Sequence, residues 1–89
     1  MNSIITVIGQ DKVGIVSGIS SELAKLNINI LDLNQTIVNG NFTMFMIVDL
    51  KKCNCNFNEV SKCLSKIGKN LNVIIKIQKE EIFKSMYTI

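Results

Sequence analysis

The chain of 89 residues contains no histidine, and all ten of its basic residues are lysine. Without histidine the commonest general base and the commonest metal ligand are missing, which removes most enzymatic readings at once. Cysteine is sparse. Cys53, Cys55 and Cys63 make an odd number, a poor match to a disulfide framework, so reduced thiols are expected. Cys53-x-Cys55 supplies two soft ligands where a structural zinc site needs four. A cysteine nucleophile would need a base and an orienting group, and no obvious base is available. Neither a metal, a cofactor nor a catalytic residue is expected.

Long apolar runs are also lacking. The longest stretches, residues 4–8 and 44–48, are strand-sized and fall well short of the ~20 residues that cross a bilayer. The N-terminus has no basic region, and its first apolar stretch runs straight into Gln10, Asp11 and Lys12, unlike a secretory leader. The expectation is a cytoplasmic protein with no membrane partner. Aromatic residues make up 6% of the chain, and the strand Thr43-Met44-Phe45-Met46-Ile47 lacks the flanking basic residues and exposed stacking pattern of an RNA-binding sheet. The net charge of +3 is uneven, with two lysines against four acids in residues 1–50 and eight against three in residues 51–89. Solvated helix faces account for the lysine-rich half, and no nucleic-acid partner is expected.

What is present is a globular composition, 47% hydrophobic and 19% charged, in one chain too short to divide into two cores. A single domain over residues 1–89 is expected, with residues 80–89 as a tail. Residues 3–8 are β-branched and read as a strand. Ile15, Ile19, Leu23 and Leu26 then follow helical spacing to about Asn27. Residues 28–38 and 42–50 are two strand arms around Asn39-Gly40, a strong hairpin signal because both turn positions take positive φ. Phe57, Val60, Leu64, Ile67 and Leu71 step along a second helix, and residues 73–79 close as a strand. The order strand, helix, strand, strand, helix, strand folds most simply as an α+β, ferredoxin-like βαββαβ domain. It has a four-stranded antiparallel sheet with two helices on one face, followed by a C-terminal amphipathic segment.

The strands are apolar on both faces. Phe42, Met44, Met46 and Val48 alternate with Phe45 and Ile47, and Ile5 and Val7 with Ile4 and Ile8. A sheet with one wet face alternates more cleanly, so something is expected to cover the second face. The candidates are residues 80–89, with Ile82, Phe83, Met86 and Tyr87 near helical spacing, or a second subunit.

The loop Gly9-Gln10-Asp11-Lys12-Val13-Gly14 has the glycine spacing that opens a phosphate-binding loop. Ile15 and Val16 stand where that motif requires lysine and a hydroxyl residue, so it is not a nucleotide cradle of that kind. A glycine-bounded turn feeding a helix still offers backbone N–H groups to a carboxylate, and Asp11 beside it suits an ammonium. A free amino acid carries both groups. The plainer alternative is that the glycines make a tight turn and Asp11 caps the helix.

Gly9-Gln10-Asp11-Lys12-Val13-Gly14-Ile15-Val16 after a strand, then Leu23-Ala24 and Asn27-Ile28-Asn29-Ile30-Leu31-Asp32, resembles the ACT domain, a small regulatory module of many amino-acid-metabolism enzymes. The similarity extends to Gln35-Thr36 and to Glu80-Glu81-Ile82-Phe83 with Met86, and covers essentially the whole chain, as in free-standing bacterial members. The resemblance implies a βαββαβ fold, dimerisation and, in many members, an amino acid held at the dimer interface. Carried over by position, the ligand-binding residues are Gly9, Gln10, Asp11, Lys12, Val13, Gly14 and Ile15 of the loop and Asn29 at the start of the second strand. Val13 replaces the usual proline, and Gly9 offers no side chain where some amino-acid binders present a polar one. The expected function is therefore a regulatory module, a homodimer that binds a small molecule such as an amino acid and signals in trans to a separate effector protein. The alternative is an interaction or scaffolding domain of the same fold without a functional ligand site.

Overall fold

A computed structural model describes residues 2–10 and 13–79; Asp11, Lys12 and the expected C-terminal segment, residues 80–89, lie outside the described residues. The elements follow the expected order: β1 (Asn2–Gln10), α1 (Ile15–Lys25), β2 (Asn29–Val38), β3 (Asn41–Asp49), α2 (Phe57–Leu71) and β4 (Val73–Lys79). Local chemistry sets most of these limits. Gly14, at φ 95°, precedes the first turn of α1, a left-handed conformation that costs glycine nothing. At the other end of α1, Asn27 takes φ 59°, its N–H donates to the Ala24 carbonyl at 3.0 Å, and the Ile28 N–H donates to the Leu23 carbonyl at 2.9 Å. This is the paired bonding that closes a helix with a left-handed residue, and the buried Leu23 and Ile28 supply its usual apolar contact.

Asn56 starts α2 by accepting the Glu59 N–H on its side-chain oxygen at 2.9 Å, which satisfies one of the free donors of the first turn. Asn39 and Gly40, at φ 53° and 77°, make the two-residue turn between β2 and β3. That left-handed pair matches the twist of the strands it joins.

The sheet is antiparallel throughout, in the order β2-β3-β1-β4. Its helix-covered face carries Ile5, Val7, Met44, Met46 and Val48, all fully buried against Ile15, Ile19 and Leu23 of α1 and Val60 and Leu64 of α2. Each such side chain contributes roughly 1.5–3 kcal/mol relative to exposure. Helix α2 lies against β4 with α1 beside it, which places α1 on the β2 side of the sheet. Edge strand β2 is exposed along nearly its whole length, Leu33 and Ile37 included.

Boundaries differ from expectation by one or two residues. β1 runs past residues 3–8 to Gln10, because Gly9 pairs with Phe42 and Val73 and Gln10 with Asn41. The expected loop thus begins two residues late. The second sheet face is mixed and not uniformly apolar: Ile8, Val38, Phe45 and Ile74 are exposed on it, interspersed with Thr6, Thr43, Lys76 and Gln78.

Candidate functional site

The residues expected to hold a ligand fall into two places. Gly9 and Gln10 belong to β1, so their backbone groups sit within the sheet ladder. Val13 is fully exposed. Ile15 is buried in the core at 1% exposure, which leaves only its backbone N–H to offer a ligand. Asp11 and Lys12 lie outside the described residues. Gly14 precedes α1 with no side-chain cap. The first intrahelical bond there runs from the Gly18 N–H to the Gly14 carbonyl at 2.9 Å. The N–H groups of the turn before it are the ones a helix leaves without an internal partner, and they carry the positive end of its dipole.

Asn29 is elsewhere. It pairs with Asp49, which pairs with Asn2, whereas Gly9 stands in the row of Phe42 and Val73. The two rows are seven residue steps apart along β1, from Asn2 to Gly9, about 23 Å at roughly 3.3 Å per residue. Within one chain the structure therefore does not bring Asn29 to the loop.

At the Asn29 end lies an open groove of about 620 Å³ lined by Ala24, Asn27, Ile28, Asn29, Asp49, Lys51 and Lys52. Two connections are tied together to form its wall. The Asn27 side-chain amide donates to the Lys52 carbonyl at 2.8 Å, the Asn54 side-chain amide to the Lys25 carbonyl at 3.0 Å, and the Asn54 N–H to the Leu26 carbonyl at 3.0 Å. The Lys51 N–H donates to Asp49 Oδ1 at 2.9 Å. One carboxylate and two ammonium groups thus border the groove, a combination that complements a zwitterion.

Asp49, Lys51, Lys52 and the Asn27–Asn54 clamp were not legible as site residues. The signal available was the asparagine after each apolar stretch, which favours left-handed and capping positions.

The cysteines lie beside this region. Cys53 Sγ and Cys55 Sγ are 3.9 Å apart, half-buried against the core. Burial, reinforced by the hydrogen-bonded Cys53 thiol, pushes the Cys55 thiol up to about 11, so it is a neutral thiol and not a nucleophile near neutral pH. Among the described residues no three His, Cys, Asp or Glu side chains converge to hold a metal, and no helix is long and apolar enough to cross a membrane.

The four-stranded antiparallel sheet with two helices on one face defines a ferredoxin-like α+β domain. The chain belongs to the ACT domain family, a regulatory ligand-binding fold, whose model matches residues 3–78. It is 55% identical over 86 residues to a UPF0237 protein of Clostridium acetobutylicum, covering 97% of each chain. It is 51% identical over 87 residues to a UPF0237 protein of Listeria monocytogenes, covering 98% of each. A solved ACT domain protein from Streptococcus pneumoniae superposes with a TM-score of 0.82 at 41% identity, over 93% of each chain.

Proposed function

We propose that two copies of this chain pair about a two-fold axis and bind an amino acid or a related small acid between them, regulating a separate protein and catalysing nothing themselves. The observation that carries this reading is the separation of Asn29 from the loop of residues 9–14 by the length of the sheet. Val38, Asn41 and Gln10 form one row at the loop end, and Asn29, Asp49 and Asn2 form the row at the other. If the β2 edges of two copies pair antiparallel, Asn29 of each comes alongside the Val38 end of the other. The groove of one copy then meets the loop of its partner.

The same pairing would remove an exposed edge strand from solvent, an arrangement that folded proteins otherwise avoid, and would cover Leu33 and Ile37, exposed at 37% and 56%. In the joint site the Gly14 end of α1 receives the ligand carboxylate, and the groove's Asp49, with Asp11 of the loop, receives its ammonium. Regulation in trans is supported by the relatives, which this chain matches over 97–98% of their own length. The free thiols of Cys53, Cys55 and Cys63 suit a reducing, cytoplasmic setting.

The experiment is a melting-temperature screen against free amino acids and small carboxylic acids, with light scattering to give the mass. A ligand at a hundredfold its dissociation constant stabilises the fold by about 2.7 kcal/mol, a shift of at least about 10 °C for a domain of this size. A dimer with no shift for any compound would favour the scaffolding alternative; a monomer would remove the joint site.

A further inference from the structure

We propose that Cys53 and Cys55 are a redox site, a dithiol that closes reversibly to a disulfide and reshapes the wall of the groove at the end of α1. Their sulfurs are 3.9 Å apart, so an S–S bond of about 2.0 Å requires a further approach of only about 1.9 Å. Both thiols are half-buried, while Lys52, Asn54 and Asn56 around them are exposed. A small oxidant therefore reaches the pair from solvent. In a reducing setting such a pair rests as thiols and is oxidised transiently. Burial keeps Cys55 protonated near neutral pH, which gives Cys53 the first attack and Cys55 the second.

The oxidant is a low-molecular-weight disulfide. The Cys53 thiolate attacks one of its sulfurs and expels the other as a thiolate; Cys55 then gives its proton to solvent and attacks Cys53 Sγ, releasing the second small thiol. Two cysteine thiols become one disulfide, and one small disulfide becomes two thiols. The ring so closed contains the whole backbone of Asn54, and Asn54 is the residue that ties the groove together. Its N–H donates to the Leu26 carbonyl and its side-chain amide to the Lys25 carbonyl, both at 3.0 Å. The Lys52 carbonyl, in the peptide unit that leads into Cys53, accepts the Asn27 side-chain amide at 2.8 Å. Drawing the two sulfurs together resets the Asn54 dihedrals and opens its bonds to the end of α1. The groove thereby gains a redox input, whatever ligand it holds.

The experiment equilibrates the native full chain with oxidised glutathione, alkylates the remaining thiols, digests with trypsin and weighs the peptides. Trypsin cuts after Lys52 and Lys62, so Cys53 and Cys55 share the peptide of residues 53–62 and Cys63 falls in the next one. The expected product is that peptide lighter by two hydrogens and unalkylated, restored to the dithiol by dithiothreitol. In the folded, oxidised chain the Asn54 N–H should exchange with deuterium at least about tenfold faster than in the reduced chain, with exchange along β1 unchanged. Thiols that stay reduced, a glutathione adduct that persists on Cys53 or Cys55, or a bridge to Cys63 or to a second chain would overturn the redox site. Unaltered exchange at Asn54 in the oxidised chain would overturn its coupling to the groove.

Discussion

Gly9 on β1 and Val73 on β4 approach so closely that a side chain cannot come between them: a Cβ on Gly9 would lie 2.6 Å from Val73 Cγ1 and 3.1 Å from its Cα. The Cα is backbone, so rotating the valine does not relieve the contact. Gly9→Ala is expected to separate the two strands locally and cost about 1–3 kcal/mol, as overpacking does, lowering the melting temperature by at least about 4 °C. Thermal denaturation without ligand measures it. An unchanged melting temperature would mean that the β1–β4 pairing is looser than described. Gly9 is thus glycine for packing, whether or not a ligand sits near it.

Ser3 presents the opposite case. Its hydroxyl is fully buried and, among the described residues, has no hydrogen-bond partner. A buried unsatisfied group costs about 1–3 kcal/mol, so Ser3→Ala is expected to raise stability, read as a higher urea midpoint at unchanged slope. A lower midpoint would show that the hydroxyl is bonded in solution.

The pH dependence near Cys55 has a definite sign. Its thiol titrates at about 11 in the folded chain against an ordinary 9.0, so between these values the folded state holds a proton that the unfolded state has lost. Stability then falls as pH rises. The contribution is complete below about 9 and is lost as pH climbs to about 11. Urea midpoints across that window should decline more steeply for the native chain than for Cys55→Ala, a comparison that cancels the lysines and Tyr87. Equal slopes would mean that the thiol ionises as freely as in the unfolded chain.

The fold was legible because each element announces itself locally. Ile15, Ile19 and Leu23 share a helix face, Asn39-Gly40 can hardly be anything but a tight hairpin, and Phe42, Met44, Met46 and Val48 alternate cleanly into the core. The site was only half legible, and β2 shows why. Counting back from the hairpin, Val38 pairs with Asn41 and Asp32 with Ile47, a run that would set Asn29 opposite Leu50. The irregularity between Ile30 and Asp32 shifts the register by one and sets Asn29 opposite Asp49 instead. A bulge of this kind leaves no unambiguous mark in a single sequence. The role of Gly9 was hidden for a related reason, since it depends on a strand that lies some sixty residues further along the chain.

Mixing two defective variants tests most directly whether the site is shared between two copies. Val13→Glu places a negative charge at the exposed loop position, against the ligand carboxylate. Asn29→Ala alters the groove at the far end of the sheet. Each variant alone is expected to bind the amino acid found by the melting screen at least tenfold more weakly than the native chain. When the two are unfolded together and refolded, half of the dimers are mixed, and each mixed dimer holds one intact site and one doubly altered site. Isothermal titration of the mixture should then recover native affinity at roughly a quarter of the sites, as two-fold symmetry requires. No recovery, with both variants dimeric, would place the loop and Asn29 outside any shared site and contradict the account.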